Sequence, residues 1–277
     1  MTRVTLKEEF SVIYQKIPLS AEDNEIFLEV YAPEKVWEHH RKAILVIPGG
    51  GYSRVCVERE GEPVALAFVA EGYAAFVLRY SVGRKKPFPA QLLEASKAMA
   101  YIKDHAEEYN IDPNEVFAVG FSAGGHLTAT LGTMWKHPAV TETLGIPYGY
   151  NKPRGTMLIY PVICGSMMTL CNLLCKDDPS PEELEMVMLD RHVDEDTVPA
   201  FIMHTVTDEI VPVMDSLVMA QAMNKAGRSF EMHVYPKAPH GIALGTEITS
   251  MGNPGYENAE IAKWVKQAVA WADSLAE

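Results

Sequence analysis

A serine between two glycines, at the junction of a predicted strand and a predicted helix, is the feature that most restricts the fold of this chain. Gly120-Phe121-Ser122-Ala123-Gly124 follows the apolar run 116–119 and precedes the segment 125–131, which has helical spacing. Small residues on both sides of the serine allow a tight corner that presents its hydroxyl above the end of a sheet. The helix N-terminus would then offer unpaired N–H groups to a developing negative charge.

An ordinary glycine-rich turn would explain the same five residues, so the residues that follow decide between the two interpretations. A reactive serine in this setting needs an acid and then a histidine downstream, each just past a strand. Asp208 follows the predicted strand 199–205, and His240 follows the alternating segment 230–236. Their order and placement favour a reactive Ser122 over a loop-capping carboxylate and a surface turn histidine.

The roles expected of these three residues follow from proton chemistry. A serine hydroxyl is a poor nucleophile at neutral pH, so His240 is expected to take the proton of Ser122 during attack and to pass it to the leaving group. Asp208 is expected to hold the imidazole in the required tautomer and to stabilise the imidazolium. The sequence thus predicts a Ser122–His240–Asp208 triad.

A glycine run after an early apolar strand predicts the oxyanion hole. Residues 43–47 are strongly apolar, and Gly49, Gly50 and Gly51 follow them. Glycines permit positive φ angles and a close approach of the backbone to a ligand. The predicted donors are the N–H groups of Gly50, Gly51 and Ala123, with Gly49 as a substitute. A plain glycine turn is the alternative interpretation.

Together these motifs resemble an α/β-hydrolase of the esterase/lipase group with an HGGG-type loop. The resemblance is strongest to the branch of acetyl esterases and xylan-esterase-like sugar-ester hydrolases. It implies a carboxylic-ester hydrolase that often deacetylates carbohydrate. Pro48 departs from the broader pattern, because many relatives carry a histidine there that helps to brace the loop. The matching segments are 47–52, 120–127, 208–212 and 239–241.

The arrangement of apolar segments predicts an α/β fold in a single domain spanning 1–277. Short apolar strands alternate with helices, which implies a mostly parallel sheet covered by helices on both faces. The predicted strands are 26–31, 43–47, 73–78, 116–119, 156–160, 199–205 and 230–236. The predicted helices are 64–70, 89–105, the segment after Ser122, one within 210–226, and 258–275.

The segment 162–198 is the least regular part of the chain. It contains methionine-rich and leucine-rich stretches that are separated by Asp177-Asp178-Pro179-Ser180-Pro181. Because it follows a strand's C-terminal end, where ligands bind in open α/β sheets, we expect a small cap over the active site. Its methionines could shape a tolerant pocket. An ordinary pair of core helices is an equally good interpretation.

Charge and composition restrict the partners. Twenty-four basic and 37 acidic residues give a formal charge of −13, which argues against binding to nucleic acid or to anionic membranes. No segment has the roughly 18 apolar residues of a membrane span. The first ten residues lack the apolar stretch of a signal peptide, so we expect a cytoplasmic protein.

The cysteine pattern predicts free thiols. The four cysteines include no C-x-x-C pair, so we do not expect a zinc site. Free thiols are typical of a reducing compartment, and we expect the protein to work in one. The residues concerned are Cys56, Cys164, Cys171 and Cys175.

Four further residues near the motifs could contribute to the site. Tyr52 follows the oxyanion glycines and Tyr80 follows a strand end, so both are candidate substrate contacts. His126 lies one helical turn after Ser122 and is expected to be a packed helix residue. His204 precedes Asp208, and we expect a structural hydrogen-bonding role.

The sequence therefore predicts a serine carboxylic-ester hydrolase that works through an acyl-enzyme, with no metal or organic cofactor. The preferred substrate is a small ester with a short acyl group, chiefly acetyl, on a sugar or similar alcohol. The same triad could instead cleave amides, as in a formamidase or small-peptide hydrolase. A non-catalytic binding protein of this fold is a third alternative, and the sequence leaves a homodimer open.

Overall fold

One eight-stranded sheet organises the chain, in the order β1-β2-β4-β3-β5-β6-β7-β8. The structure is a computed structural model that describes residues 12–35 and 40–275. The first ten residues, on which the prediction about a signal peptide depends, lie outside these ranges. The strands are β1 (Val12–Pro18), β2 (Phe27–Pro33), β3 (Arg41–Ile47), β4 (Ala74–Arg79), β5 (Ile111–Phe121), β6 (Thr156–Ile159), β7 (Ala200–Thr205) and β8 (Phe230–Tyr235).

Ten α-helices occur in the described part of the chain, and most follow strands. They are α1 (Val57–Glu60), α2 (Glu62–Ala70), α3 (Ala90–Asp104), α4 (Ala123–Thr133), α5 (Pro138–Leu144), α6 (Met167–Leu174), α7 (Pro181–Glu185), α8 (Met214–Lys225), α9 (Glu247–Ser250) and α10 (Trp264–Ser274). Short 3-10 turns occur at Leu189–Arg191, Pro254–Tyr256 and Ile261–Lys263.

The pairing of the strands confirms the predicted mostly parallel sheet. The six strands from β4 to β8 in the sheet order pair in parallel, whereas β1 and β2 add an antiparallel edge. β1 was not predicted, because its side chains alternate between exposed and half-buried positions instead of forming an apolar run.

Apolar residues cover both faces of the sheet, as predicted from the continuous apolar strands. In β3, Leu45 and Ile47 face one hydrophobic cluster, while Ile44 and Val46 face the other. Residues of α3, α4 and α8 contribute to the first cluster, and residues of α2 and α10 contribute to the second. The loops after β3, β5, β7 and β8 consequently emerge at one edge of the sheet, since parallel strands end on the same side.

Candidate active site

The turn between β5 and α4 holds Ser122 in a strained conformation. Its φ is 53° and its ψ is −119°, which L-residues rarely adopt. A Cβ on Gly120 would overlap Thr128 and the Gly124 carbonyl, and a Cβ on Gly124 would overlap the Ile47 carbonyl. The two flanking glycines are therefore required by the close approach of α4 to β3 and β5, as the sequence pattern predicted.

The loops after β5, β7 and β8 bring the three predicted triad residues together. His240 Nε2 lies 2.9 Å from Ser122 Oγ, and His240 Nδ1 lies 2.7 Å from Asp208 Oδ2. Because a carboxylate only accepts hydrogen bonds, the His240 proton belongs on Nδ1, and Nε2 is left with a lone pair toward the serine hydroxyl. This tautomer can take a proton from Ser122.

Backbone and side-chain donors surround Asp208 and keep it charged. Its Oδ1 accepts hydrogen bonds from the backbone N–H groups of Ile210 and Val211, at 3.0 and 2.9 Å. Burial acts to raise the pKa of the Asp208 carboxyl, but His204, 3.5 Å from Oδ2, and the hydrogen bond and charge of His240 outweigh it. The pKa of Asp208 therefore lies well below its ordinary value, as an orienting carboxylate requires.

The predicted oxyanion donors border the serine. As the first residue of α4, Ala123 has no helical partner for its N–H. Gly50 and Gly51 have positive φ angles of 129° and 63°, and neither N–H donates a hydrogen bond to a residue within 12–35 or 40–275. Gly49 differs, because its N–H donates to Glu60 Oε2 at 2.8 Å. Gly49 was predicted as a substitute donor, and that prediction is wrong because this bond already uses its N–H.

A buried carboxylate supplies the bracing that Pro48 does not provide. Glu60 is 2% exposed, and besides the Gly49 N–H it accepts a hydrogen bond from the Tyr160 hydroxyl at 3.0 Å. The Tyr160 hydroxyl in turn accepts a hydrogen bond from the N–H of Ala243, three residues after His240. Glu60 and Tyr160 thus link the oxyanion loop to the loop that carries the histidine.

Burial and the surrounding donors have opposite effects on Glu60. Desolvation raises the pKa of Glu60, whereas Arg59, the Gly49 N–H and the Tyr160 hydroxyl act to lower it. The net pKa is raised above the ordinary value. Both carboxyl oxygens accept hydrogen bonds, which is the arrangement of an ionised carboxylate.

Tyr52 and Tyr80, predicted as substrate contacts, use their hydroxyl groups inside the protein. Each residue is 2% exposed. The Tyr80 hydroxyl donates to the carbonyl of Pro48 at 2.7 Å, and the Tyr52 hydroxyl lies 3.0 Å from His126 Nδ1. Their rings pack edge to face at 5.9 Å. The prediction is corrected on this point: both side chains brace the oxyanion loop, because burial keeps their hydroxyls from a ligand.

Two further histidines have the packed positions that were expected of them. His126 Nε2 lies 2.8 Å from the carbonyl of Val187, so Nε2 carries the proton and Nδ1 accepts from Tyr52. Burial lowers the pKa of His126 to about 4. His204 lies 2.7 Å from Ser216 Oγ and 2.9 Å from the carbonyl of Val211. Neither ring is free to act as a second base.

The predicted cap segment, 162–198, contacts both the core and the oxyanion loop. Its buried leucines join the main hydrophobic cluster, whereas Met167 and Met168 are exposed. Asn172 Nδ2 donates to the carbonyl of Gly51 at 2.9 Å. Asp215 Oδ2 accepts three backbone N–H groups, those of residues 163–165, and so anchors the start of the segment. Its function as a cap stays a prediction.

No group of three or more potential ligand side chains that could hold a metal ion occurs within 12–35 and 40–275. All four cysteines are free thiols. Among the described helices, none combines the length and apolar character needed to cross a bilayer.

Sequence reasoning missed Glu60, Tyr160 and Asp215. Their functions depend on hydrogen bonds between residues that are distant in the chain, the Glu60–Tyr160 pair being separated by 100 positions. One signal was available for Glu60, because a carboxylate within a segment rich in polar residues, 11 positions after Gly49, is a candidate partner for loop N–H groups.

Comparison with known proteins places the chain in a family. A family model described as BD-FAE matches residues 28–154, and the prolyl oligopeptidase family model matches 94–273. The acetyl ester-xyloside bifunctional hydrolase from Caldicellulosiruptor lactoaceticus is 30% identical, with 95% of this chain and 96% of that chain covered and a TM-score of 0.78. The chain belongs to the α/β-hydrolases. Within that fold family it lies in the acetylxylan-esterase-like branch of the esterases. Residues 94–273 also match the broader prolyl oligopeptidase family.

Two curated relatives extend this result. The α/β-hydrolase is 34% identical over 228 residues to endo-1,4-beta-xylanase B from Butyrivibrio fibrisolvens, covering 78% of this chain and 35% of the relative. It is 30% identical over 214 residues to the acetylxylan esterase of Xylanibacter ruminicola, covering 74% of this chain and 42% of the relative. The chain therefore spans less than half the length of these two curated relatives.

Proposed function

We propose that this α/β-hydrolase is a serine carboxylic-ester hydrolase in which Ser122, His240 and Asp208 form the catalytic triad. The observation that carries the proposal is the hydrogen-bonded chain from Ser122 Oγ through His240 to Asp208, at 2.9 and 2.7 Å. Those separations are within the range that proton transfer and imidazole orientation require.

The reaction begins with attack by Ser122 Oγ on the ester carbonyl carbon while His240 Nε2 takes the hydroxyl proton. The carbonyl oxygen becomes an oxyanion that accepts hydrogen bonds from the N–H groups of Gly50, Gly51 and Ala123. One such donor is typically worth about 10²–10³ in rate. The intermediate collapses when the C–O bond to the alcohol breaks and His240 passes its proton to the departing oxygen.

Water completes the cycle. His240 Nε2 takes a proton from water as the water oxygen attacks the acyl-enzyme carbonyl, and a second oxyanion forms in the same hole. Collapse of this intermediate returns the proton to Ser122 Oγ and releases the carboxylic acid. Asp208 stays ionised throughout, because its surroundings hold its pKa well below neutrality. No step in this cycle needs a metal ion or an organic cofactor.

Acetyl esters of carbohydrate are the substrates we propose. The support is the acetylxylan esterase of Xylanibacter ruminicola and the acetyl ester-xyloside hydrolase of Caldicellulosiruptor lactoaceticus, each about 30% identical to this chain. Purified protein is expected to release acetate from acetylated xylo-oligosaccharides and to hydrolyse p-nitrophenyl acetate. A panel from acetyl to octanoyl esters would define the acyl range.

Ser122→Ala tests the catalytic role directly. Loss of the nucleophile should lower kcat for p-nitrophenyl acetate by at least about 10⁴-fold, as in other triads. A fluorophosphonate should phosphonylate Ser122 Oγ with loss of HF, which adds the mass of the phosphonyl group to that peptide in the wild type and leaves the variant unlabelled. Retained turnover in the variant, or labelling at another residue, would contradict the proposal.

Amide cleavage is the second candidate, favoured by the match of 94–273 to the prolyl oligopeptidase family model. Cleavage of an amide would form the same acyl-enzyme but would release an amine, which is a poorer leaving group than an alcohol. Comparison of kcat/KM for acetyl esters with values for formyl-amide and aminoacyl substrates separates the two activities.

We also propose that the protein works in the cytoplasm and binds neither nucleic acid nor anionic membranes. Four free thiols suit a reducing compartment, and a formal charge of −13 disfavours polyanions. Cell fractionation and a vesicle sedimentation assay test the two statements. Analytical ultracentrifugation tests the homodimer that the sequence leaves open.

A further inference from the structure

The side of Ser122 on which the alcohol half of an ester must lie follows from the proposed mechanism. His240 Nε2 takes the serine proton and must then give it to the departing alcohol oxygen. That oxygen therefore has to come within hydrogen-bonding distance of Nε2. The remainder of the alcohol extends from there along the surface next to the His240 loop.

An open groove of about 870 Å³ lies beside His240. Three loops form its walls, and all lie at the edge of the sheet where the catalytic residues emerge. They are 207–210 after β7, 237–240 after β8 and 253–258 between α9 and α10. The volume is in the range of small-molecule sites and exceeds what an acetyl group needs.

The polar groups of the groove suit an uncharged ligand with many hydroxyls. Glu209 and Glu257 supply acceptors, whereas Lys237 and the side-chain amide of Asn253 supply donors. Lys237 offsets one of the two carboxylates, so the lining keeps a small negative charge that disfavours an anionic ligand. Lys237, Glu209, Asn253 and Glu257 are all exposed, and their polar groups can therefore reach a ligand.

The aromatic ring of Tyr256 borders the same groove and contacts the guanidinium of Arg59. Tyr256 is half-buried, and the guanidinium of Arg59 lies 5.6 Å from its ring centroid. Arg59 is fixed beside Glu60, 3.9 Å from Oε1, and its Nε is buried without a hydrogen-bond partner among the described residues. A cation near the ring face is attracted by the ring quadrupole and so favours this ring position. The ring therefore forms an apolar surface in a polar groove.

We propose that this groove binds the sugar residues that carry the ester, with Tyr256 as the surface on which a sugar ring packs. A pyranose has an apolar face of C–H groups and a rim of hydroxyls, which matches an aromatic ring surrounded by amide, carboxylate and ammonium groups. This inference rests on the proposed ester hydrolysis and assigns the groove to the alcohol half of the substrate.

Tyr256→Ala tests the assignment with two acetate esters whose alcohols differ in size. We expect kcat/KM for acetylated xylotetraose to fall at least ten-fold, because the packing surface is lost. For ethyl acetate, followed by pH-stat, kcat/KM should stay within two-fold, because its two-carbon alcohol does not reach the groove. Tyr256→Phe should keep kcat/KM for the acetylated xylotetraose within three-fold of the wild type, since the ring remains.

Tyr148→Ala is the matched control. Tyr148 is 69% exposed and packs on Trp135, beyond the end of α4 that is remote from Ser122. Its removal should change neither kcat/KM. Equal losses for both esters in Tyr256→Ala, or no loss for either, would overturn the assignment of the groove.

Binding to an inactive protein separates this inference from the proposed function. Acetylated xylotetraose should bind Ser122→Ala, measured by isothermal calorimetry, and should bind Ser122→Ala/Tyr256→Ala at least ten-fold more weakly. Equal affinity of the two proteins would overturn the sugar site even if the wild type is an active esterase. A wild type that hydrolyses neither ester, with Tyr256-dependent binding intact, would contradict the proposed function and leave the sugar site supported.

Discussion

The buried frame around the oxyanion loop and the exposed groove beside His240 adjoin the same triad but are built in opposite ways. The frame consists of Glu60, Tyr80 and Tyr160, each at most 2% exposed and each bonded to backbone groups of the catalytic loops. The charged side chains that line the groove are all exposed, and two of them, Lys237 and Glu257, have no ion pair within the described residues. This difference suggests that the frame sets the reaction rate and that the groove selects the alcohol.

Energetics explains why the two regions tolerate change so differently. A buried donor or acceptor that loses its partner costs about 1–3 kcal/mol, because water cannot replace the lost bond. An exposed side chain that is removed typically changes stability by less than about 0.5 kcal/mol. Substitutions in the frame should therefore affect every substrate, whereas substitutions in the groove should affect only those esters whose alcohol reaches it.

The largest effect is expected for Asp208→Asn. An amide at this position can donate to His240 Nδ1, which favours the tautomer with the proton on Nε2 and removes the lone pair from the serine. By analogy with other triads, kcat for ethyl acetate should fall by about 10⁴-fold. Steady-state kinetics by pH-stat measures the loss.

Glu209→Gln is the control for that variant, since it makes the same chemical change in an exposed residue that borders the groove. Its kcat for ethyl acetate should stay within two-fold of the wild type. A comparable loss in both variants would mean that negative charge near the cleft matters more than the His240 tautomer.

Acid sensitivity of the protein's stability is expected to come from His126, which is buried against Tyr52. Burial lowers its pKa to about 4, below the ordinary value of about 6.5. A lowered pKa in the folded state means that the unfolded chain binds the proton more tightly, so this contribution to stability is complete above pH 6.5 and is lost as the pH falls toward 4. The loss amounts to about 3 kcal/mol.

His126→Gln should remove that pH dependence. Urea unfolding at pH 7, 6, 5 and 4.5 gives the free energy of unfolding of both proteins. The wild type should lose more stability than the variant between pH 6.5 and 4.5, even if the variant is less stable at pH 7. Parallel curves would exclude His126 as the source.

A smaller effect is expected for Glu60→Gln. The amide has the same size, but its single oxygen cannot accept from both the Gly49 N–H and the Tyr160 hydroxyl, so one of these donors loses its acceptor. Because the oxyanion loop is then less well positioned, kcat should fall about ten-fold for ethyl acetate and for acetylated xylotetraose alike. KM should change by less than two-fold, because Glu60 is buried beneath the loop.

Glu257→Gln in the groove is the matched change for Glu60→Gln. It should leave kcat/KM for ethyl acetate unchanged and lower kcat/KM for acetylated xylotetraose by about two-fold, through the loss of one strong acceptor. If Glu60→Gln raised KM without lowering kcat, the frame would be part of the binding site and the contrast between the two regions would fail.

The features that the sequence predicted correctly depend on neighbours in the chain. The positions of β2 to β8, the strained serine between Gly120 and Gly124, and the loop positions of Asp208 and His240 follow from apolar runs and from the residues that interrupt them. Local patterns of this kind are visible in one sequence because a strand, a turn and a helix are each formed by consecutive residues.

Apart from β1, whose alternating side chains form no apolar run, the features that were missed or wrong depend on residues brought together from different elements. Gly49 was predicted as a substitute oxyanion donor, but its N–H donates a hydrogen bond to Glu60, 11 residues later in the chain. Tyr52 and Tyr80 looked like substrate contacts because their positions border the cleft, but their side chains turn inward to His126 and the loop backbone. Side-chain direction in a loop depends on tertiary packing, which no spacing rule encodes.

The position of β8 at the edge of the sheet has a consequence for how this scaffold can be altered. β8 is the last strand in the sheet order of residues 12–35 and 40–275, and the chain from 244 to 260 connects the His240 loop to the last helix. Its length can therefore change without shifting the register of any strand pair. We expect that exchanging this segment among related scaffolds would redirect which alcohols are accepted while the reacting atoms keep their places.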